Sequence, residues 1–192
     1  MKRKQYENAF EKINSQFGGQ GQFQYTKLNF VSKRFFEDFK QLIHSDRWGE
    51  VAFFVERKNG KHIVIRSHSY PKGVYRVPTG GIRYGEEVSH ALYREIREEL
   101  GLTHDTPRFL GAVFYEICYQ GEQLEFISFV FHLKETGGTI LEDATEQEIH
   151  EYLEADKEML TLICRNIEQH GGSWQDWCQF RLQTTSFLLP YL

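Results

Sequence analysis

The sequence predicts an α+β domain built on a mixed β-sheet. Three observations carry this reading. Apolar residues recur at helical spacing near both ends of the chain, β-rich runs dominate its middle, and the two do not alternate as a βαβ repeat. At 192 residues, with 40% hydrophobic and 15% aromatic residues, the chain is long enough for a real core and unlike a disordered segment. A single domain over residues 1–192 follows. It divides into a helical extension (1–45), a core (46–169) and a C-terminal helix (170–192).

Taken in order, Tyr6, Phe10, Ile13 and Phe17 form one helical stripe that stops at Gly18 and Gly19. Residues 20–31 are ambiguous. Phe35, Phe36, Phe39, Leu42 and Ile43 make a second stripe, with Ser32 as its cap. From Trp48 the period changes: "EVAFFVERKNGKHIVIR" is two β-rich runs joined by Asn59-Gly60, a hairpin signal. "YPKGVYRVPTGG" reads as a loop. Residues 87–100 form a helix with acids near its start and Gly101 just past its end. "RFLGAVFYEICY" and "QLEFISFVFHL" are two strands that turn near Gly121, followed by the acidic loop "KETGGTILEDATEQ" and a short strand, "EIHEYLEA". A helix near 157–169 and another from Ser173 close the chain. Ser173 with Asp176 resembles a capping box. Trp174, Trp177 and Phe180 give that last helix an apolar face for the core or for a homodimer contact.

Composition excludes several functions. The net charge of −4 disfavours nucleic-acid binding, which calls for a basic stripe. No run approaches the ~18 apolar residues of a membrane span. Cys118, Cys164 and Cys178 are odd in number and lack CxxC spacing, which suggests neither a disulfide framework nor a zinc site and points to a reducing, cytoplasmic setting. His62, His68 and His90 show no metal-ligand spacing.

The stretch "REIREELGL" is the anomaly. It places Glu95, Glu98 and Glu99 in the last turns of a helix, where the helix dipole disfavours acids and like charges at i,i+4 repel. At ~100° per residue the three share the side occupied earlier by Val88, Ala91 and Leu92. They point inward, and inward carboxylates require a cation. Arg94 can orient one of them. A divalent ion is the economical partner for the rest, and oxygen donors select Mg²⁺ or Mn²⁺.

Residues 80–102, "GGIRYGEEVSHALYREIREELGL", resemble the Nudix box, G-x5-E-x7-REUxEExGU with U aliphatic. Gly80, Glu86, Arg94, Glu95, Ile96, Glu98, Glu99, Gly101 and Leu102 meet every specified position. The resemblance implies an α/β/α sandwich of the Nudix type, with a loop–helix–loop carrying the box between sheet strands. It further implies Mg²⁺-dependent hydrolysis of a nucleoside diphosphate linked to another group. Glu95, Glu98 and Glu99 would ligate the metal together with the carbonyl of Thr79, and Gly80 and Gly81 would let the loop approach the phosphates. The proton acceptor would be Glu95 or an acid of the later loop, where Glu146 is the expectation among Glu142, Asp143, Glu146 and Glu148. Arg66, Arg76 and Arg83 could contact phosphates, and Tyr70, Tyr75, Tyr84, Tyr115 or Tyr119 a base. Nucleoside triphosphates, nucleotide sugars and dinucleoside polyphosphates are all open as substrates. The alternative from another class is a nucleotide-binding sensor that does not hydrolyse. Its relatives often carry a damaged box and a DNA-binding domain; here the box is intact.

Overall fold

In the computed structural model, residues 3–144 and 149–192 are described. The chain runs through α1 (Arg3–Gln16), β1 (Gln22–Asn29), α2 (Lys33–Ser45), β2 (Arg47–Glu56), β3 (His62–Ser67), β4 (Thr79–Arg83) and α3 (Val88–Glu95). A π turn (Ile96–Leu100) then leads into β5 (Leu102–His104), β6 (Arg108–Tyr119), β7 (Glu122–Gly138), β8 (Ile149–Ala155), α4 (Lys157–Gln169) and α5 (Gln175–Thr185). Among the described residues the strands make one mixed sheet in the order β1-β6-β7-β2-β3-β8, with β4 on β2 and β5 on β7. No helix of the described residues is long and apolar enough to cross a membrane.

Helices cover both faces, as the α/β/α expectation requires. Tyr6, Phe10 and Ile13 of α1 pack with Ala91 and Leu92 of α3 on one face. Phe36 and Phe39 of α2, Leu160 and Ile163 of α4, and Phe180 of α5 fill the other. Alternation along β2 divides the two cores: Val51, Phe53 and Val55 face α1 and α3, while Ala52 and Phe54 face the other side. The central strand is therefore a continuous apolar run, as a strand buried on both faces must be.

The structure resolves or corrects several sequence expectations. The ambiguous stretch holds β1, which pairs in parallel with β6 from Gln22↔Gly111 to Asn29↔Cys118. The Pro- and Gly-rich loop ends in a strand, because Thr79–Arg83 finds a partner in the first half of β2. The acidic loop begins later than read, since β7 runs on to Gly138 to pair with β5. Ser32 caps α2 as expected, accepting from the Phe35 N–H. Ser173 and Asp176 do not form a capping box. A short 3₁₀ turn (Gly172–Trp174) precedes α5, whose first residue takes no side-chain cap. Asp176 is instead buried and reaches across the fold, accepting from the Val31 N–H at 3.0 Å and the Ser32 N–H at 2.8 Å. The three cysteines are free, and burial pushes the Cys164 and Cys178 thiols up to about 11.

This cross-fold tie gives a test. Asp176→Ala orphans two N–H groups that bond a charged acceptor, so it should lower unfolding free energy by about 1.5–3 kcal/mol. Ser173→Ala should be nearly neutral. Equilibrium denaturant unfolding of both variants checks the contrast.

Candidate active site

Helix α3 enters against the sheet through Val88, Ala91 and Leu92, all buried, and this fixes the direction of the residues that follow. The segment Ile96–Leu100 is wound as a π turn rather than a continued α-helix. Such a turn re-phases side chains relative to an α-helical wheel and is common at functional sites. Here it leaves Glu95 and Glu99 buried, at 7% and 8% exposure, while Glu98 is only half-buried. Gly101 ends the turn in the left-handed region with φ of 69°. A Cβ there would also lie 2.5 Å from the Ala144 N and Asp143 C atoms. The acidic loop thus packs directly on the end of the glutamate-bearing segment, and the Leu141 N–H donates to Leu100 O at 3.0 Å.

Arg94 organises the three acids. Its Nε–H and one terminal N–H grip both oxygens of Glu86 at 2.8 and 2.9 Å. The other terminal nitrogen donates to Glu95 at 2.7 Å and to Glu98 at 3.0 Å. The remaining N–H reaches the Gly81 carbonyl at 2.8 Å. All five guanidinium donors are thus used. The bonds to Glu86, then to Glu95 and Glu98, hold the Arg94 pKa above its usual value. Burial of Glu86 opposes its ionisation, yet Arg94 and the Arg83 N–H hold its carboxyl below the usual range. Repulsion among the acids is therefore partly relieved within the protein. A sequence reading in which Arg94 serves one acid understates it.

The box glycines act by space rather than by backbone freedom. Neither Gly80 nor Gly81 has a positive φ, unlike Gly85; both lie extended on β4. A Cβ on Gly80 would fall 2.0 Å from Cδ of Glu95, and one on Gly81 would fall 2.6 Å from Cζ of Arg47. The Glu95 carboxylate occupies the room where a side chain at position 80 would stand.

These groups border a cavity of about 320 Å³ whose walls include Thr79, Gly80, Gly81, Arg94, Glu95 and Glu99. Five arginines enter its lining: Arg47, Arg76, Arg83, Arg94 and Arg181. Arg76 is buried and fixed by the Tyr70 hydroxyl at 2.8 Å, by Val77 O at 2.8 Å and by the Thr79 hydroxyl at 3.0 Å. Arg181 forms a buried pair with Glu50 at 2.9 Å, and Ser128 also donates to Glu50 at 2.7 Å. Sequence reasoning missed Arg47 and Arg181, because nothing local connects α5 or the start of β2 with the box.

Other expected residues lie elsewhere. Arg66 sits on β3, paired with Glu151 at 2.7 Å, and is not part of the lining. The register of β3 with β8 draws it into that cross-strand pair. Of the five tyrosines only Tyr70 lines the cavity; Tyr115 is fully buried and Tyr84 donates to Ile43 O. Glu142 and Asp143 are exposed, and Asp143 accepts from the Thr139 N–H. Glu146 and Glu148 lie outside the described residues.

With this geometry in view, the comparisons with known proteins agree. A NUDIX domain family model matches residues 46–175, most of the chain, and the chain belongs to that family. An ADP-ribose pyrophosphatase of Methanocaldococcus jannaschii is 30% identical over 120 residues, covering 62% of this chain and 69% of the relative. An RNA pyrophosphohydrolase of Haemophilus ducreyi is 37% identical over 57 residues, but the match spans only 30% of this chain and 29% of that protein. A NUDIX hydrolase structure from Nitrosomonas europaea shares the fold at a TM-score of 0.50 and 15% identity, over 71% of this chain and 88% of that one. The protein is accordingly a Nudix hydrolase, an enzyme class that acts on pyrophosphate bonds.

Two expectations follow from the packing. Arg94→Met leaves Glu86, Glu95 and Glu98 without their common cation, so the metal-free protein should lose roughly 3–5 kcal/mol. Gly80→Ala should expel the Glu95 carboxylate at an overpacking cost of about 1–3 kcal/mol. It should also weaken divalent-cation binding, measured by calorimetry, while far-ultraviolet circular dichroism stays native.

Proposed function

We propose that this chain is a Mg²⁺-dependent pyrophosphohydrolase that cleaves a nucleoside diphosphate linked to a further group. The observation that carries the reading is the cradle at Gly80: a missing side chain makes room for a buried carboxylate, beside a second one at Glu99, in a cavity otherwise rich in arginine. Glu95, Glu98 and Glu99, with the Thr79 carbonyl, hold the metal. An all-oxygen donor set suits Mg²⁺, with Mn²⁺ as a substitute. When bound, the ion offsets the negative charge of the pyrophosphate and acidifies water.

The chain's own residues do the remainder. Arg94 keeps Glu95 and Glu98 aimed. Arg76, and the backbone at Gly80 and Gly81, receive the phosphates. Arg181 joins them: its Nε is buried without a hydrogen-bond partner among the described residues. Tyr70 stands between this cavity and a neighbouring one of about 500 Å³ walled by Trp174, Trp177 and Phe35. Its ring centroid lies 4.6 Å from that of Trp177. This aromatic wall suits the nucleoside, while the diphosphate lies over Arg76. The 30% identical relative named for ADP-ribose supports a small nucleoside diphosphate derivative. Glu146 accepts the proton of the attacking water.

A panel of ADP-ribose, nucleotide sugars, dinucleoside polyphosphates, nucleoside triphosphates and a 5′-triphosphorylated RNA, each with Mg²⁺, tests the reading. Glu99→Gln should nearly abolish turnover of the substrate so identified. Glu146→Gln should lower kcat by about 10²–10⁴-fold with little change in KM, and Glu142→Gln should be nearly neutral. A neutral Glu146→Gln assigns the base to Glu95 or another loop acid. Tight nucleotide binding without turnover of any member would replace the hydrolase with the sensor.

A further inference from the structure

We propose that Glu56, His62 and His132 form a separate divalent-metal site that takes Zn²⁺, at the end of the sheet opposite the box. The register brings them together. Glu56 on β2 lies opposite His62 on β3, and Phe54, two residues before Glu56, lies opposite His132 on β7. Side chains two apart share a sheet face, so all three project from neighbouring strands on the side of Phe54. Glu50, at the box cavity through Arg181, is six residues earlier on the same strand, a separation of ~20 Å.

The convergence is that of acceptors. Nε2 of His62 and Nε2 of His132 are 3.2 Å apart, and Nε2 of His132 is 3.2 Å from a carboxylate oxygen of Glu56. All three ligand atoms lie within 4.8 Å of one another. A single proton on His132 Nε2 faces two acceptors and satisfies one well. A proton on His62 Nε2 instead leaves the His132 lone pair against the carboxylate. One cation at the centre satisfies all three. Tetrahedral Zn²⁺ with Zn–N near 2.0–2.1 Å places its ligand atoms about 3.3 Å apart, close to the 3.2 Å that separates His132 Nε2 from each of its two neighbours. Two imidazoles and a carboxylate are a borderline donor set that favours Zn²⁺ over Mg²⁺ and leaves a fourth position open. The three residues border a cavity of about 440 Å³ that also holds Arg108, Lys134 and Tyr191, so the open position admits water or an anion. His62 is 3% exposed, which anchors the site on the core side. Lys134 meets only the other Glu56 oxygen, at 3.4 Å.

The test separates this site from the box. The 192-residue chain carrying Glu95→Gln, Glu98→Gln and Glu99→Gln has its box carboxylates silenced, and it is titrated with Zn²⁺ alone and with Co²⁺ alone. One tight Zn²⁺ equivalent, and the visible d–d bands of tetrahedral Co²⁺, should persist. Adding His132→Gln should abolish the bands and weaken Zn²⁺ by roughly 100-fold or more, since even outer-shell changes cost 10–100-fold. Glu56→Gln, at a half-buried position, gives the same readout should the histidine variant fail to fold. Zn²⁺ affinity unchanged by both substitutions, or no tetrahedral Co²⁺ signal in the box-silenced protein, overturns the proposal. Because the box is silenced throughout, failure of this site leaves the hydrolase reading untouched.

Discussion

Five donors of one guanidinium, that of Arg94, are committed to three carboxylates and a backbone carbonyl, and the geometry of the cleft hangs on that arrangement. A carboxylate buried without such a partner would take up a proton or turn outward. With it, Glu95 and Glu98 are held close together at the end of a helix, where isolated electrostatics disfavours acids. Arg94 also ties that helix to β4 through Gly81 O, so the acid-bearing turn is fastened to the glycine strand. The empty space at Gly80 completes the lock, because the Glu95 side chain fits only where no Cβ stands.

The rest of the fold supports that lock from a distance. β2 pairs with β4 along Arg47–Ala52 on one edge and with β7 along Glu50–Glu56 on the other, so the glycine strand is held on a largely buried strand inside the sheet. From the far end of the chain, Arg181 of α5 neutralises the buried Glu50 on β2 and enters the same cavity. Asp176, five residues earlier on α5, holds the start of α2. Segments outside the box and far apart in sequence thus set the charge and shape of the cleft. A buried ion pair such as Glu50 with Arg181 is weak evidence for stability. Its value here is positional, since it keeps an arginine in the wall.

Local signals in the sequence were reliable where the physics is local. The apolar stripes of α1 and α2, the Ser32 cap, the turn at Gly121, the left-handed Gly101 and the inward bias of the box glutamates all depend on residues a few positions apart. Three strands escaped notice because each is defined by its partner. β1 is a mixed polar strand held by parallel pairing to β6, β4 is glycine-rich, and β5 is three residues long. The reading of Ser173 with Asp176 as a cap failed for a related reason: the same carboxylate can serve a helix start within its own turn or one across the molecule. Burial chose the second.

By itself, then, the sequence determined the box, the inward charge and its demand for a cation, because a 3.6-residue period and a spaced set of acids and glycines are written along the chain. It could not determine the winding of Ile96–Leu100, the reason for Gly80, the arrival of Arg47 and Arg181, or the meeting of His62 with His132 and Glu56. Strand register and helix docking decide those. Register fixes which side chains from strands β2, β3 and β7 share a face, and no spacing within one segment encodes its alignment with another.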